Sequence, residues 1–246
     1  MMKLEIQALS QTGLVRTNNE DMLSVGGILL RDDVLSLPIE LDGQSQFHLL
    51  VSDGMGGHEF GERASQGLLE YLCECFKENR FQPETIEDDL RFHVKAFNDR
   101  LNSEALEEGQ RMPMGCTLTG VVWSMGKTYL LNAGDSRTYR FRNSILRQLT
   151  QDETMRGLTG NPSASKALLN CIGGGADGNL NVSDLTDRLS EGDALLICSD
   201  GLTDMLSDEA IEKILSESEE PVDDLYAAAC EHGGIDNVSI ILAKIS

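Results

Sequence analysis

Three observations predict an α+β layered fold for this chain. Its β-rich runs occur in groups and its helical periodicities in pairs, so the strand-helix alternation of a parallel sheet is missing. Its 246 residues, 40% of them apolar, suffice for one core, since single domains extend to ~250 residues. No internal repeat, low-complexity linker or composition break divides the sequence, and a single domain over 1–246 is expected.

Taken in order, Leu4, Ile6 and Ala8 alternate with polar neighbours as in a half-buried strand. Gln11-Thr12-Gly13 then turns the chain, and residues 22–25 predict a second strand. Segment 31–45 carries Asp32, Asp33, Pro38, Asp42 and Gly43 and is expected to be a surface loop. Residues 47–51 read as a buried strand. Ala64, Leu68, Leu69, Leu72, Cys73 and Phe76 recur at helical spacing, as do Ile86, Leu90, Val94, Phe97 and Leu101, with Pro83 near the start of the second helix. From Gly115 the period changes. Runs 117–123, 128–133, 138–141 and 145–149, parted by Gly, Asn and Ser, predict an antiparallel meander. Segment 157–178 is rich in Gly, Ser and Asn, with a short helix expected over 164–169. A strand at 194–198, helices at 208–215 and 222–230 and a closing strand at 238–245 complete the reading.

Forty-one Asp and Glu against 20 Lys and Arg leave a formal charge of −21. Such a surface repels phosphate backbones and anionic lipid, so neither nucleic acid nor membrane is an expected partner. Six cysteines lie scattered with no CxxC pair, several inside apolar runs where a thiol packs as a small hydrophobe. That usage fits a reducing compartment. The first residues alternate apolar and charged types, unlike a signal peptide, and no stretch approaches the ~18 apolar residues of a membrane span. A soluble, cytoplasmic monomer is expected.

The chemistry lies in the aspartates. Apolar runs at 47–51, 129–131 and 195–198 lead into Asp53-Gly54, Gly134-Asp135 and Asp200-Gly201, and Asp236 precedes the run 238–242. Strand ends are rigid, and a glycine beside each acid admits close backbone approach. Acids delivered this way can converge on hard cations, which favour carboxylate, carbonyl and water oxygens. The absence of paired histidine or thiolate ligands argues against zinc and for magnesium or manganese. Any one Asp-Gly alone is more often an ordinary turn; the joint occurrence carries the reading. No cysteine sits in a phosphate-cradling loop that ends in Arg, and Gly173-Gly174-Gly175 lacks the Lys-Ser or Lys-Thr of a nucleotide loop.

Seven segments carry a resemblance: Arg16-Thr17-Asn18-Asn19-Glu20-Asp21, Val51-Ser52-Asp53-Gly54-Met55-Gly56-Gly57-His58, Gly61-Glu62-Arg63-Ala64-Ser65, Gly115-Cys116-Thr117, Asn132-Ala133-Gly134-Asp135-Ser136-Arg137, Ser199-Asp200-Gly201-Leu202-Thr203-Asp204 and Asp236-Asn237-Val238-Ser239. Their order and content resemble the metal-dependent serine/threonine protein phosphatases of type 2C in their bacterial form, across essentially the whole chain. The resemblance implies a four-layer α-β-β-α sandwich, two antiparallel sheets flanked by helix pairs, with the metal site at one end. It implies that Asp53 bridges two Mg²⁺ or Mn²⁺ ions, that the Gly54 carbonyl binds the second, and that Asp200 and Asp236 hold the first. Bacterial members add a third ion through the positions of Asp135 and Asp200, and Glu20 and Asp21 match an acidic pair that supports the site.

Arg16 matches the family's phosphate-binding arginine, a role suited to the guanidinium fork; alone it would read as a solvated turn arginine. His58 matches a histidine that assists leaving-group protonation, with a loop-ordering role as the alternative. His48 reads as a satisfied core residue, and His93 and His232 as ordinary helix residues. The resemblance implies hydrolysis of phosphoserine and phosphothreonine esters on proteins, opposing a Ser/Thr kinase. The alternative is a non-catalytic phosphoprotein-binding sensor on the same scaffold. One stretch departs from the family. Where relatives carry a longer flap beginning Leu-Thr-x-Asp-His and later His-Pro, this chain has Leu149-Thr150-Gln151-Asp152-Glu153 and Asn161-Pro162. The segment 151–178 is expected to be a shortened, mobile flap whose substrate contacts differ.

Overall fold

The structure, a computed structural model, describes residues 2–57, 59–109, 113–161 and 163–246. The amino-terminal half comprises β1 (Met2–Gln11), β2 (Met22–Val25), β3 (Ile28–Leu30), β4 (Asp33–Leu41), β5 (Phe47–Ser52) and β6 (Gly54–Met55), then helices α1 (Glu59–Lys77) and α2 (Ile86–Glu107). β7 (Gly115–Cys116), β8 (Leu118–Ser124), β9 (Lys127–Ala133), β10 (Arg137–Arg142), β11 (Ile145–Gln148), α3 (Met155–Thr159), β12 (Ile172–Gly173) and β13 (Asn181–Asp184) follow. The chain closes with β14 (Ala194–Cys198), α4 (Asp200–Thr203), α5 (Asp208–Glu217), α6 (Pro221–Glu231) and β15 (Val238–Ile245).

Two six-stranded sheets, ordered β11-β10-β14-β15-β1-β4 and β13-β9-β8-β5-β2-β3, face each other. A small third sheet, β12-β7-β6, continues from the ends of β5 and β8. Three apolar cores hold the layers. Leu4, Ile6, Leu49, Val51, Leu195, Ile197 and Ile241 fill the space between the sheets. Leu50, Leu118 and Leu131 pack under α1 and α2, while Leu196, Leu242 and Ile240 pack under α4–α6. β5 and β14 therefore bury both faces, which explains why β14 is an unbroken apolar run and β5 is apolar except for the buried His48 and Ser52, rather than alternating. The expected four-layer sandwich is the observed architecture. On α1 the buried stripe is completed by Cys75 rather than Cys73.

Three local expectations are corrected. Segment 31–45 is not simply a loop, because β4 pairs with β1 over its length. Leu35, Leu37 and Ile39 alternate and lean on the inter-sheet core, and Pro38 is tolerated because β4 is an edge strand. The meander breaks at Gly134-Asp135: β8 and β9 pair in one sheet, whereas β10 and β11 pair in the other. The short helix lies at 155–159 and not at 164–169. Thr154 caps it by accepting from the Gly157 amide at 3.0 Å, and Gly160 ends it at φ 64°.

Candidate active site

Antiparallel register delivers the predicted acids to one end of the sandwich. Met22 lies opposite Ser52, Gln11 opposite Val238, Arg137 opposite Cys198 and Cys198 opposite Ile240. Asp53 follows β5, Glu20 and Asp21 precede β2, Asp135 occupies the crossing from β9 to β10, Asp200 opens α4 and Asp236 precedes β15. A cleft of about 280 Å³ is lined by Arg16, Glu20, Asp53, Gly54, Asp135, Asp200 and Asp236, among others. Asp21 lies just beneath them, 1% exposed. His58, the remaining candidate, lies outside the described residues.

Backbone bonds fix these positions. The Asp53 amide donates to Thr117 Oγ1 at 3.0 Å, and the Thr117 amide donates back to the Asp53 carbonyl at 2.8 Å. The Gly54 amide donates to the Glu20 carbonyl at 3.1 Å. A Cβ on Gly54 would meet the Gly61 carbonyl oxygen at 2.1 Å and that of Glu20 at 2.5 Å, so only glycine lets β6, α1 and the segment before β2 approach this closely. Asn237 accepts from the Glu20 amide at 2.8 Å and donates to the carbonyls of Asn18 and Thr12 at 2.9 and 3.1 Å. It thereby stitches the Arg16 loop to Asp236. Arg16 Nη2 donates to Asp236 Oδ2 at 2.6 Å, a contact that holds the guanidinium pKa above its ordinary value.

The acids crowd in a poorly solvated space. Burial, reinforced by the charges of Asp21, Asp200, Asp135 and Asp236, holds the Asp53 carboxyl well above the usual range. Burial pushes Asp21 up to about 7 against hydrogen bonds from Ser239 and Ser199, with Asp200 and Asp236 adding repulsion. Asp135 rises to about 7 by burial and the charges of Asp200, Asp152 and Asp204. Asp200 rises to about 6 by burial and the charges of Asp204 and Asp236, moderated by a hydrogen bond with Asp53. Such a cluster asks for positive charge.

The donor set fits Mg²⁺ or Mn²⁺. It is all oxygen, and Asp21 Oδ1 is buried with no hydrogen-bond partner among the described residues. Among the described residues no three acids or other metal-binding side chains close on one point as a ready cage. Octahedral ions that retain several waters suit this arrangement better than tetrahedral zinc does. Thiol chemistry does not fit: burial pushes Cys116 and Cys198 up to about 12, which leaves essentially no thiolate at neutral pH. His48 is 3% exposed with Nε2 2.9 Å from Ser24 Oγ, a satisfied core histidine as expected.

Sequence reasoning missed Lys166. It lines the cleft from the segment between α3 and β12 and ion-pairs with Asp204. Nothing in a Gly- and Ser-rich stretch marks one lysine, and only the fold brings it to the acids. The bridging role of Asn237 was also missed, although the residue stands inside a motif that the sequence made visible.

Comparison with known proteins gives one consistent picture. The family model described as protein phosphatase 2C matches residues 25–231. A serine/threonine phosphatase, stp, of Listeria monocytogenes is 32% identical over 250 residues, 94% of this chain and 92% of that protein. The solved catalytic domain of the serine threonine protein phosphatase PstP, in complex with two manganese ions, superposes with a TM-score of 0.77 at 30% identity, covering 100% of this chain and 99% of that one. A Streptococcus agalactiae serine/threonine phosphatase shares the fold, with a TM-score of 0.81 over 99% of this chain and 100% of that one at 23% identity.

Proposed function

The chain belongs to the protein phosphatase 2C family, and from that premise we propose specific roles for its residues in metal-dependent dephosphorylation of phosphoserine and phosphothreonine on proteins. The observation that carries the reading is the convergence of Asp53, Asp135, Asp200 and Asp236 in one cleft with Arg16 at its wall. Asp53, Asp200 and Asp236 would hold two Mg²⁺ or Mn²⁺ ions together with the Gly54 carbonyl; Asp135 would serve an outer third ion. Glu20 and Asp21 would support the ions through water. When bound, such a metal pair acidifies water to supply the nucleophile and neutralises phosphoryl charge.

The residues' own part is binding and orientation. Arg16 is half-exposed and meets Asp236 through one nitrogen, so its fork can turn to grip phosphate oxygens. Thr117 and Asn237 hold Asp53 and Glu20 in place through the bonds described above. His58 is assigned to protonation of the departing serine or threonine oxygen. A sensor without activity is disfavoured, because a carboxylate set retained in full has no use in a scaffold that only binds. An opposing Ser/Thr kinase, a monomeric state and a cytoplasmic location belong to the same reading; no helix among the described residues is long and apolar enough to cross a membrane. The test is Mn²⁺-dependent hydrolysis of an aryl phosphate and of a phosphothreonine peptide by wild type and Asp53→Asn. Hydrolysis by wild type alone is expected, and a variant at wild-type rate would overturn the assignment.

A further inference from the structure

We propose, resting on the reading of Asp135 as an outer metal ligand, that Glu153 is a positioning residue coupling the flap to the Asp135 turn, so that flap seating and cation binding favour each other. Glu153 lies at the root of the flap, where the sequence departs from the Leu-Thr-x-Asp-His pattern that the resemblance implies. Its Oε2 accepts from the Gly134 amide at 2.8 Å and from Asn170 Nδ2 at 2.7 Å, and its Oε1 accepts from Asn181 Nδ2 at 2.7 Å. Its own amide donates to the Gly134 carbonyl at 3.0 Å, and its carbonyl accepts from the Leu169 amide at 2.7 Å. One residue thus ties together the turn that carries Asp135, the returning limb of the flap and β13.

The surroundings make this clasp the link between flap and turn. The neighbouring Asp152 is gripped by Arg137 through Nε at 2.9 Å and Nη2 at 2.6 Å, and by Gln148 at 2.7 Å, so the flap root cannot drift. Glu153 also lines a cavity of about 400 Å³ whose walls include flap residues Leu158 and Leu169 and the strand-side Leu130 and Leu149. Leu158 and Leu169 remain 65% and 50% exposed, so apolar packing does not seat the flap. On the other side the turn is rigid: Gly134 sits at φ 111°, and a Cβ there would lie 2.7 Å from Thr117 Cγ2. A shift passed through Glu153 therefore moves Asp135 rather than being absorbed. Three N–H donors converge on two carboxylate oxygens, and a glutamine would offer one acceptor oxygen and an amide that opposes the asparagine donors.

The test uses the full chain and Mn²⁺. Arg156 and Lys166 make the flap cleavable by trypsin, and cleavage within it is followed with and without Mn²⁺ for wild type, Glu153→Gln and Asn170→Ala. Hydrolysis of an aryl phosphate is titrated with Mn²⁺ in parallel. Coupling is reciprocal, so Mn²⁺ should slow flap cleavage in wild type about fivefold or more, and loss of the clasp should raise the half-saturating Mn²⁺ by the same factor. Both variants should lose the protection and shift the titration together, with kcat at saturating Mn²⁺ nearly unchanged. Asn170→Ala is the sharper case, because it removes the side-chain tie between Glu153 and the returning limb, together with the bonds of Asn170 to the Asn179 backbone, while keeping the Gly134 bond and the Leu169 backbone bond. If either variant loosens the flap yet titrates like wild type, or if Glu153→Gln keeps full protection, the coupling is refuted and the clasp is only structural. Wild type that neither binds Mn²⁺ by calorimetry nor responds to it would instead overturn the underlying metal reading.

Discussion

Asp53 lies at the centre of the acidic cleft, and its carboxyl is held well above the usual range by burial and by four other acids. Asp53→Asn is expected to lower kcat by at least ~10³-fold, since metal stabilisation of transition-state charge is worth several kcal/mol. The same change should stabilise the metal-free protein. An unfolded aspartate titrates near ~3.9, whereas Asp21, Asp135 and Asp200 titrate at about 7, 7 and 6 in the fold. Because the folded values are raised, the folded state binds the extra protons. The penalty is complete above about pH 7 and fades as pH falls through the folded values toward the unfolded one. Metal-free protein should therefore melt at a higher temperature at about pH 6 than at about pH 8, with a smaller gain for Asp53→Asn. Melting curves without metal check this, and a wild-type midpoint that falls on that acidification would contradict it. Arg16→Ala should raise KM for a phosphopeptide about 10- to 100-fold with less effect on kcat, as loss of a charge-assisted bond worth ~1.5–3 kcal/mol implies. Arg16→Lys should rescue poorly because a point charge cannot copy the fork. Steady-state kinetics decide it: an unchanged KM in both variants would make the arginine structural.

At the scale of elements, α4 has only four residues, yet it places Asp200. Its first turn runs against the loop before β15, where a Cβ on Gly201 would come 1.9 Å from the Asn237 carbonyl oxygen. Gly201→Ala should force α4 away from that loop, at a cost of about 1–3 kcal/mol as for other overpacked sites. The distance between Asp200 and Asp236 should grow with it. Lower thermal stability together with weaker Mn²⁺ binding by calorimetry is expected; weakened stability with wild-type metal affinity would show that α4 does not set the spacing. The flap argues separately. At saturating Mn²⁺, replacing 151–178 with a longer flap should change activity on phosphoproteins more than on an aryl phosphate, because loops select what docks while the acids remain on strand ends. Equal losses on both substrates in a flap-swapped chimera would mean that the segment supports the acid cleft itself.

For the whole molecule, three cores lie between the layers and the acids cluster at one end, so fold and site are separable. Chelation should abolish activity while leaving the far-ultraviolet circular dichroism unchanged. Added Mn²⁺ should raise the melting temperature more at about pH 8 than at about pH 6, because protons compete for the raised carboxyls. Loss of secondary structure on chelation, or an equal shift at both pH values, would count against a preformed acidic cleft. The formal charge of −21 adds self-repulsion that salt screens, so moderate salt should also stabilise the metal-free protein.

By itself the sequence determined the layered class, the principal strands and helices and which acids line the cleft. Mostly apolar runs that lead into Asp beside Gly mark buried strands that end at the acidic cleft, and local spacing is enough to see them. Other features depended on tertiary structure. β4 was hidden because Pro38 and flanking acids look like a loop, and only pairing with β1 makes its alternation count. The crossing between sheets at Asp135, the seat of Lys166 and the clasp of Glu153 depend on residues brought together from distant segments. Lys166 and Asp204 are far apart along the chain, as are Gly134, Glu153, Asn170 and Asn181. Periodicity reports what a residue does within its own element. Convergence of charges from different elements is decided by register and packing, which bring together side chains whose local sequences carry no record of one another.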